Sequence, residues 1–308
     1  MINTSKKSCI TKIVAVLAAF LLAISALFVS GCTKVNVNFT DSSSKAQAAN
    51  FSSTGELKVR FVDVGQGDCA LISFDNHWMM IDGGKPSASS VVHTVLNRLG
   101  VTEIEYMVAS HPDSDHSGGL AGALNLVKVD HFMCSTTESD TTTWKNIKKQ
   151  VEEQGLEIEV PKVGDTFKLG DATVTILGPT DTFESDNNNS IVLRIDYGNK
   201  SFLFTGDMEH ESENSMLKAG TNVKADVLKV SHHGSRTASS VKFLKQVSPE
   251  YAVISCGKDN DYGHPHEETL KHLKKVNTTV LRTDELGDII FTTDGNSLDY
   301  TSTDKITE

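Results

Sequence analysis

Four side chains able to hold a metal ion fall within six residues: His111, Asp113, Asp115 and His116, in the stretch 110–119. Imidazole nitrogen with carboxylate oxygen suits zinc, manganese or iron(II), and two of each in so short a span suggest a pair of ions. No regular element aims positions i, i+2, i+4 and i+5 into one small volume, and a strand would send His116 to the wrong face. The cluster therefore needs a turn. The apolar run 106–109 before it reads as a buried strand, and Gly118-Gly119-Leu120 after it as a helix start. The competing reading is a polar surface loop that happens to carry these residues, and the buried strand end with Gly-Gly behind it argues against that.

The elements that must position such a turn are legible around it. Strands are predicted over 57–62, 69–74, 77–81, 101–109, 172–177, 191–195, 201–204, 225–230 and 251–255, the last taken as the final strand. Helices are predicted over 87–99, with Val91, Val92, Val95, Leu96 and Leu99 on one face and Gly100 as its cap, and over 120–126. Another is anchored by Trp144, Ile147 and Val151; others span 209–218 and follow His266. The hairpins 70–82 and 191–207 resemble each other, and each ends in an aspartate beside glycine, Asp82 and Asp207. This weak internal duplication predicts two β-rich halves facing each other, with Asp207 across from the 111–116 turn. The pair His232-His233 ends the strand 225–230, and His264 precedes the helix carrying Leu270 and Leu273.

The spacing H-x-D-x-D-H over 111–116 resembles the metallo-β-lactamase superfamily signature H-x-H-x-D-H, with Asp113 where a second histidine usually stands. The variant is similar to the metallo-β-lactamase-like domain of the ComEC/Rec2 competence proteins. D-V-G-Q-G-D (63–68), the hairpin ending in D-G-G (82–84), T-G-D (205–207) and S-H-H-G-S (231–235) match the same subfamily. The resemblance implies an α/β chain folded as a four-layer αββα sandwich over 56–308, with metals at one edge between the sheets. It implies His111, Asp113, Asp115, His116, Asp207 and His232 as metal ligands, Asp207 bridging two Zn²⁺ or Mn²⁺ ions. Asp82 would be structural. Asp115 would also orient the nucleophile, and His233 or His264 would protonate the leaving group. Which of His232, His233 and His264 ligates is open from sequence. His264 and His266 could equally brace their loop by hydrogen bonds. One departure stands out: where the superfamily usually has a further histidine ligand, this chain reads Asp186-Asn-Asn-Asn-Ser190. One ion then has fewer nitrogen donors, and an oxygen-rich site favours manganese as readily as zinc.

The chain opens with Lys6, Lys7 and Lys12, continues apolar over 13–29 and reaches Ser30-Gly31-Cys32. This is the form of a secretory signal. Cysteine after Ser-Gly resembles the lipobox of bacterial lipoproteins, so residues 1–31 are expected to be removed and Cys32 to carry the lipid. A single membrane-spanning anchor is the alternative, at the short limit of length. Either way the body is expected outside the cytoplasm, tethered to the membrane by the flexible stretch 32–55, rich in Ser, Asn, Ala and Lys. Formal charge is −11 for the whole chain, and −14 without residues 1–31 and their three lysines (26 basic residues against 40 acidic). Such a body does not attract nucleic acid non-specifically, although bound cations invert the local field. Cys69, Cys134 and Cys256, odd in number and without C-x-x-C, form no disulfide framework and read as buried thiols.

Two bridged ions lower the pKa of a bound water and neutralise charge on the scissile group, which suits in-line attack on phosphorus. The first expectation is therefore a metal-dependent phosphodiesterase or nuclease, DNA being one possible substrate. ComEC-type domains are implicated in degrading one strand of incoming DNA, but the multi-pass channel of that family is not found in this chain. An ester, lactone or lactam hydrolase, and a non-catalytic binding lipoprotein, are the other readings.

Overall fold

The computed structural model describes residues 55–303. The expected signal segment, the lipidation site Cys32 and the tether up to residue 54 lie outside the described residues. Among the described residues no helix is long and apolar enough to cross a membrane.

Among the described residues fifteen strands form two sheets. The first holds β1 (Leu57–Phe61), β2 (Cys69–Phe74), β3 (His77–Gly83), β4 (Glu103–Ala109), β5 (Lys128–Cys134) and β6 (Ile158–Glu159). The second holds β7 (Thr166–Leu169), β8 (Ala172–Gly178), β9 (Val192–Tyr197), β10 (Lys200–Phe204), β11 (Val227–Lys229), β12 (Tyr251–Ile254) and β13 (Thr279–Arg282). The chain then returns to the first sheet with β14 (Ile289–Thr293) and β15 (Asp299–Ser302), giving the orders β15-β14-β1-β2-β3-β4-β5-β6 and β13-β12-β11-β10-β9-β8-β7. The duplicated hairpins β2–β3 and β9–β10 thus do occupy opposite sheets. Tyr251–Ile254 is not the last strand, however. Three short strands follow it, and β14 closes the first sheet by pairing antiparallel with β1.

Inward side chains from both sheets, among them Val59, Ile72, Ile81, Val174, Ile195, Phe202 and Phe291, form one apolar layer. The outer face of the first sheet is covered by α1 (Ser89–Leu99), α3 (Leu120–Leu124) and α4 (Thr142–Glu153), which bury Leu96, Ala123 and Trp144 against it. Between the first two lies the single turn α2 (Ser114–Ser117). The outer face of the second sheet is covered by α5 (His210–Lys218), α6 (Val241–Val247) and α7 (Glu267–Lys275), through Met216, Phe243 and Leu273. The order of layers is αββα. The apolar stripe of α1 is narrower than its sequence suggests. Val92 and Leu96, four apart, are buried, whereas Val91 and Leu99 lie on its flanks and stay exposed.

The strands that matter for chemistry run parallel: β3, β4 and β5 in one sheet, β10, β11, β12 and β13 in the other. Parallel neighbours end on the same side, so the loops after β3, β4, β10, β11 and β12 gather at one edge, the usual place for a ligand in such sheets. Two backbones meet there without side chains between them. The Gly119 N–H donates to the Gly84 carbonyl at 2.8 Å, and a Cβ on Gly119 would run into the carbonyl of Gly83. Gly119→Ala is therefore expected to destabilise the fold by about 2 kcal/mol, in the range of overpacking at a rigid site. Urea unfolding measures it, and an unchanged midpoint would refute the account.

Candidate metal centre

Each histidine at this edge is held from behind. After β4 the chain turns at Ser110–Asp113 and makes α2, so that Asp115 and His116 lie on one helical turn. The Asp82 carboxylate, at the end of β3, accepts the Ser110 N–H at 2.7 Å and lies 2.9 Å from His116 Nδ1. His111 Nδ1 faces the hydroxyls of Ser110 (3.1 Å) and Ser190 (3.3 Å). His233 Nδ1 donates to the Ser255 carbonyl at 3.0 Å, with Asp68 Oδ1 at the same distance. With Nδ1 engaged in all three rings, Nε2 is left to face the interior.

The interior they face is short of partners. Nε2 of His111, His116 and His233 and Oδ1 of Asp207 are buried without a hydrogen bond. His116 Nε2 stands 3.0 Å from Asp207 Oδ1, yet the two are not aligned as donor and acceptor. Buried polar atoms left orphaned in this way cost about 1–3 kcal/mol each. Several of them gathered in one place are what a bound cation would satisfy. Among the described residues Asp68, His116, Asp207 and His233 each offer a ligand atom within 4.8 Å of the others. Nitrogen and carboxylate oxygen at this spacing fit a divalent transition metal.

The contacts divide the cluster into three pairs. His111 Nε2 lies 3.6 Å from Asp113 Oδ2, and His233 Nε2 lies 3.5 Å from Asp115 Oδ2. Between them sit His116 and Asp207, with ring centroids 4.3 Å from His116 to His111 and 5.1 Å from His116 to His233. Asp207 Oδ2 is 3.6 Å from both His232 and His233. All six ligands expected from the sequence are thus brought to one place. His232 stands at the outer edge, part-exposed, its Nδ1 3.3 Å from Glu209 Oε1, whereas His233 is in the buried interior. The Asp113 side chain, 45% exposed, marks the open side. His264 is further out, its ring 5.7 Å from His232 and 6.1 Å from His233. An open cleft of about 660 Å³ adjoins it, lined also by Lys258 and Asp259 and by Arg282 with its partners Asp284 and Glu285. His266 braces its loop instead, its Nδ1 accepting the Arg236 N–H at 3.0 Å.

Two residues at the centre were not singled out by sequence. Asp68 Oδ2 lies 2.6 Å from the buried ammonium of Lys229, which also donates to the Val230 carbonyl at 2.9 Å. With one oxygen toward Lys229 and the other toward the back of His233, Asp68 braces that histidine rather than reaching past it. The D-V-G-Q-G-D motif carried the signal for Asp68; nothing local marked Lys229, which reads as one alternating residue of a strand.

Electrostatics follow from crowding. Burial alone would lower the His116 and His233 pKa values, but Asp207 with Asp82 raises that of His116 well above the usual imidazole range. Asp207 with Asp68 raises that of His233 to about 9. Burial opposes ionisation of Asp115 and Asp207, yet the imidazolium charges beside them hold both carboxyls below their ordinary range. Burial, then the charges of His233 and His232, push His264 down to about 4, so that at neutral pH its ring is uncharged.

The sequence profile of the metallo-beta-lactamase superfamily matches residues 62–258. The chain belongs to this superfamily. It is 33% identical over 257 residues to ComE operon protein 3 of Bacillus subtilis (strain 168), covering 77% of this chain and 33% of that one. It is 32% identical over 238 residues to Competence protein ComA of Neisseria gonorrhoeae, covering 77% and 32%. Recombination protein 2 of Haemophilus influenzae is 30% identical over 241 residues, covering 75% and 28%. The chain thus spans about a third of the length of these curated relatives. The metallo-beta-lactamase fold protein YhfI from Bacillus subtilis superposes with a TM-score of 0.50 over 80% of this chain and 99% of its own, at 14% identity. The likeness to ComEC/Rec2-type domains read from the motifs is borne out, as is the superfamily's sandwich.

Within the superfamily fold, the place that reads Asn187-Asn-Asn-Ser190 supplies braces. Asn188 Oδ1 accepts the N–H groups of Glu209 and Ser212, and Asn189 ties down Phe183. Ser190 Oγ accepts the Asp207 N–H at 3.1 Å and touches His111. Cys256 is a buried thiol pushed up to about 12 by burial and Asp284, and Cys69 and Cys134 are likewise buried and free.

Two outcomes are expected. Because His233 is raised from 6.5 to about 9 in the folded protein, its contribution to stability is full below pH 6.5 and lost as pH rises toward about 9. Chelated protein should therefore weaken across that window, and at pH 7 metal should bind with proton release, read by calorimetry in buffers of different ionisation enthalpy. A flat stability profile with no proton release would contradict the charge assignment. Lys229→Met should leave the buried Asp68 without its ammonium partner, costing about 3–5 kcal/mol and weakening metal binding about 10–100-fold; chelator competition measures the second.

Proposed function

We propose that the chain is a metal-dependent phosphodiesterase, exported and tethered to the membrane through Cys32, that holds two divalent ions, Zn²⁺ or Mn²⁺. The observation that carries the reading is the convergence of the orphaned Nε2 atoms of His116 and His233 on Asp207, with Asp115 beside His233 and a third orphaned Nε2, that of His111, beside Asp113. Six side chains in three pairs suit two ions, with Asp207 shared. When bound, the ions would activate water and neutralise charge developing on phosphorus. Asp115, beside His233 and part-exposed, is placed to orient the nucleophile.

The geometry favours exchanging the roles expected for the paired histidines. His233 is buried with its Nδ1 committed to the Ser255 carbonyl, which suits a ligand. His232 lies at the exposed edge beside Glu209, which suits the handing of a proton to a leaving alkoxide. His264 borders the cleft as a neutral partner for substrate or metal. The oxygen-rich donor set and the names of two relatives, a competence protein and a recombination protein, support phosphodiesters, DNA among them, over carboxylic esters.

Metal analysis with assays on bis-p-nitrophenyl phosphate, single-stranded DNA, a lactone and a cephalosporin tests the reading. Hydrolysis of the phosphodiesters, lost in Asp115→Asn, is the expected result. Turnover of only the lactone or cephalosporin would move the chain to acyl transfer, and absence of bound metal would leave a binding protein. His233→Ala should lose metal. His232→Ala should keep it and slow an alkoxide leaving group about 100-fold or more, while sparing p-nitrophenolate, which needs no proton.

A further inference from the structure

Beyond the metal cluster, one aromatic side chain at its margin stands largely in solvent. Of the large hydrophobic side chains exposed among the described residues, Tyr262 alone is aromatic, and it is 57% exposed. Its loop is nevertheless firmly held. Asn260 Nδ2 donates to the carbonyls of Gly257 (2.8 Å) and His264 (2.6 Å), while its Oδ1 accepts the N–H groups of Tyr262 (3.2 Å) and His264 (3.0 Å). The Gly257 N–H donates to Gln66 Oε1 at 3.1 Å, which ties the loop to the opposite half of the sandwich. A polar side chain thus commits its whole amide to presenting an aromatic ring to water.

The ring stands in line with the centre. Tyr262 lies within 20° of parallel to His264 at 5.5 Å between centroids, and His264 in turn is 6.1 Å from His233. On the facing bank Lys85, which follows Gly83-Gly84, brings its ammonium to 5.6 Å from the Tyr262 ring centroid. A planar aromatic surface beside a lysine ammonium, one imidazole away from the metal cluster, has the chemistry that takes a base and a phosphate together.

We propose that Tyr262 and Lys85 form a subsite for an unpaired nucleotide adjoining the scissile phosphodiester, the base stacking on Tyr262 and the neighbouring phosphate meeting Lys85. The proposal rests on the phosphodiesterase reading and adds to it the nature of the group beside the cleaved bond. A base within a duplex has no free face to offer, so the subsite selects single-stranded ends and short oligonucleotides. The acidic balance of the chain, 29 basic residues against 40 acidic, agrees with this: a long duplex would be repelled, whereas a short contact needs only a local cation.

The test compares thymidine 5′-(p-nitrophenyl phosphate) with methyl p-nitrophenyl phosphate, which shares the scissile bond and lacks a base. Tyr262→Ala should raise KM for the thymidine substrate about five-fold or more, the lower bound for one stacked base. It should leave kcat and the methyl substrate within two-fold, and Tyr262→Trp should restore the wild-type KM. Lys85→Ala should weaken a thymidine dinucleotide more than the mononucleotide. Equal loss on both substrates would show that Tyr262 only steadies His264, and no loss on either would show an idle ring; both overturn the subsite. If wild-type protein cleaves neither substrate, the phosphodiesterase reading itself fails. Anisotropy of labelled oligothymidylate then decides the subsite separately: about five-fold weaker binding by Tyr262→Ala upholds it, and unchanged binding removes it.

Discussion

The centre depends on the engagement of each imidazole from behind. A histidine free to rotate or change tautomer would place lone pair and proton on either nitrogen. Here Ser110 and Ser190 engage His111, Asp82 engages His116, and the Ser255 carbonyl with Asp68 engages His233. The consequence is that all three Nε2 atoms are turned to the buried interior, those of His116 and His233 onto Asp207. Such partners orient a ligand and raise its basicity, and each is delivered by a different element: the β3 end, the β4 turn, the loop before β9, and the ends of β2's approach and β12.

That arrangement concentrates negative charge. Asp68, Asp82, Asp113, Asp115 and Asp207 gather round the three histidines, and the ammonium of Lys229 beside them is already paired with Asp68. Without cations the cluster keeps its charge tolerable by retaining protons on His116 and His233, which is why their affinities for protons are raised. A divalent ion does the same work with more charge at the centre, and would displace those protons. Metal affinity and proton affinity are therefore two readings of one field.

Backbone conformation is strained where it serves the site. Asp82 (φ 57°), His232 (φ 50°) and His233 (φ 52°) all sit in the left-handed region that residues with a Cβ avoid. Such residues cost about 1–3 kcal/mol each and persist only where surroundings impose them. The two successive left-handed histidines sharply turn the chain after β11. One side chain goes into the buried centre while its neighbour stays at the rim, an outcome that a strand-end reading of S-H-H-G-S leaves undecided.

The sequence alone determined the features that depend on local spacing. The turn at 111–116, the hairpin ending in Asp82, the cap at Gly100 and the buried face through Trp144, Ile147 and Val151 each follow from short-range periodicity or from residue types within a few positions. The same motifs carried the family, and with it the sandwich and the six candidate ligands. What only the tertiary structure decided concerns groups that meet from distant parts of the chain. Lys229 and Asp68 are 161 positions apart and Ser190 and His111 are 79 apart, and neither partner carries a local sign of the other. The short strands β13, β14 and β15 escaped notice because four or five residues give too little alternation to stand out. The division of labour between His232 and His233 was hidden for the same reason: a side chain's burial and its hydrogen-bonded nitrogen are set by what packs against it, not by its neighbours in sequence.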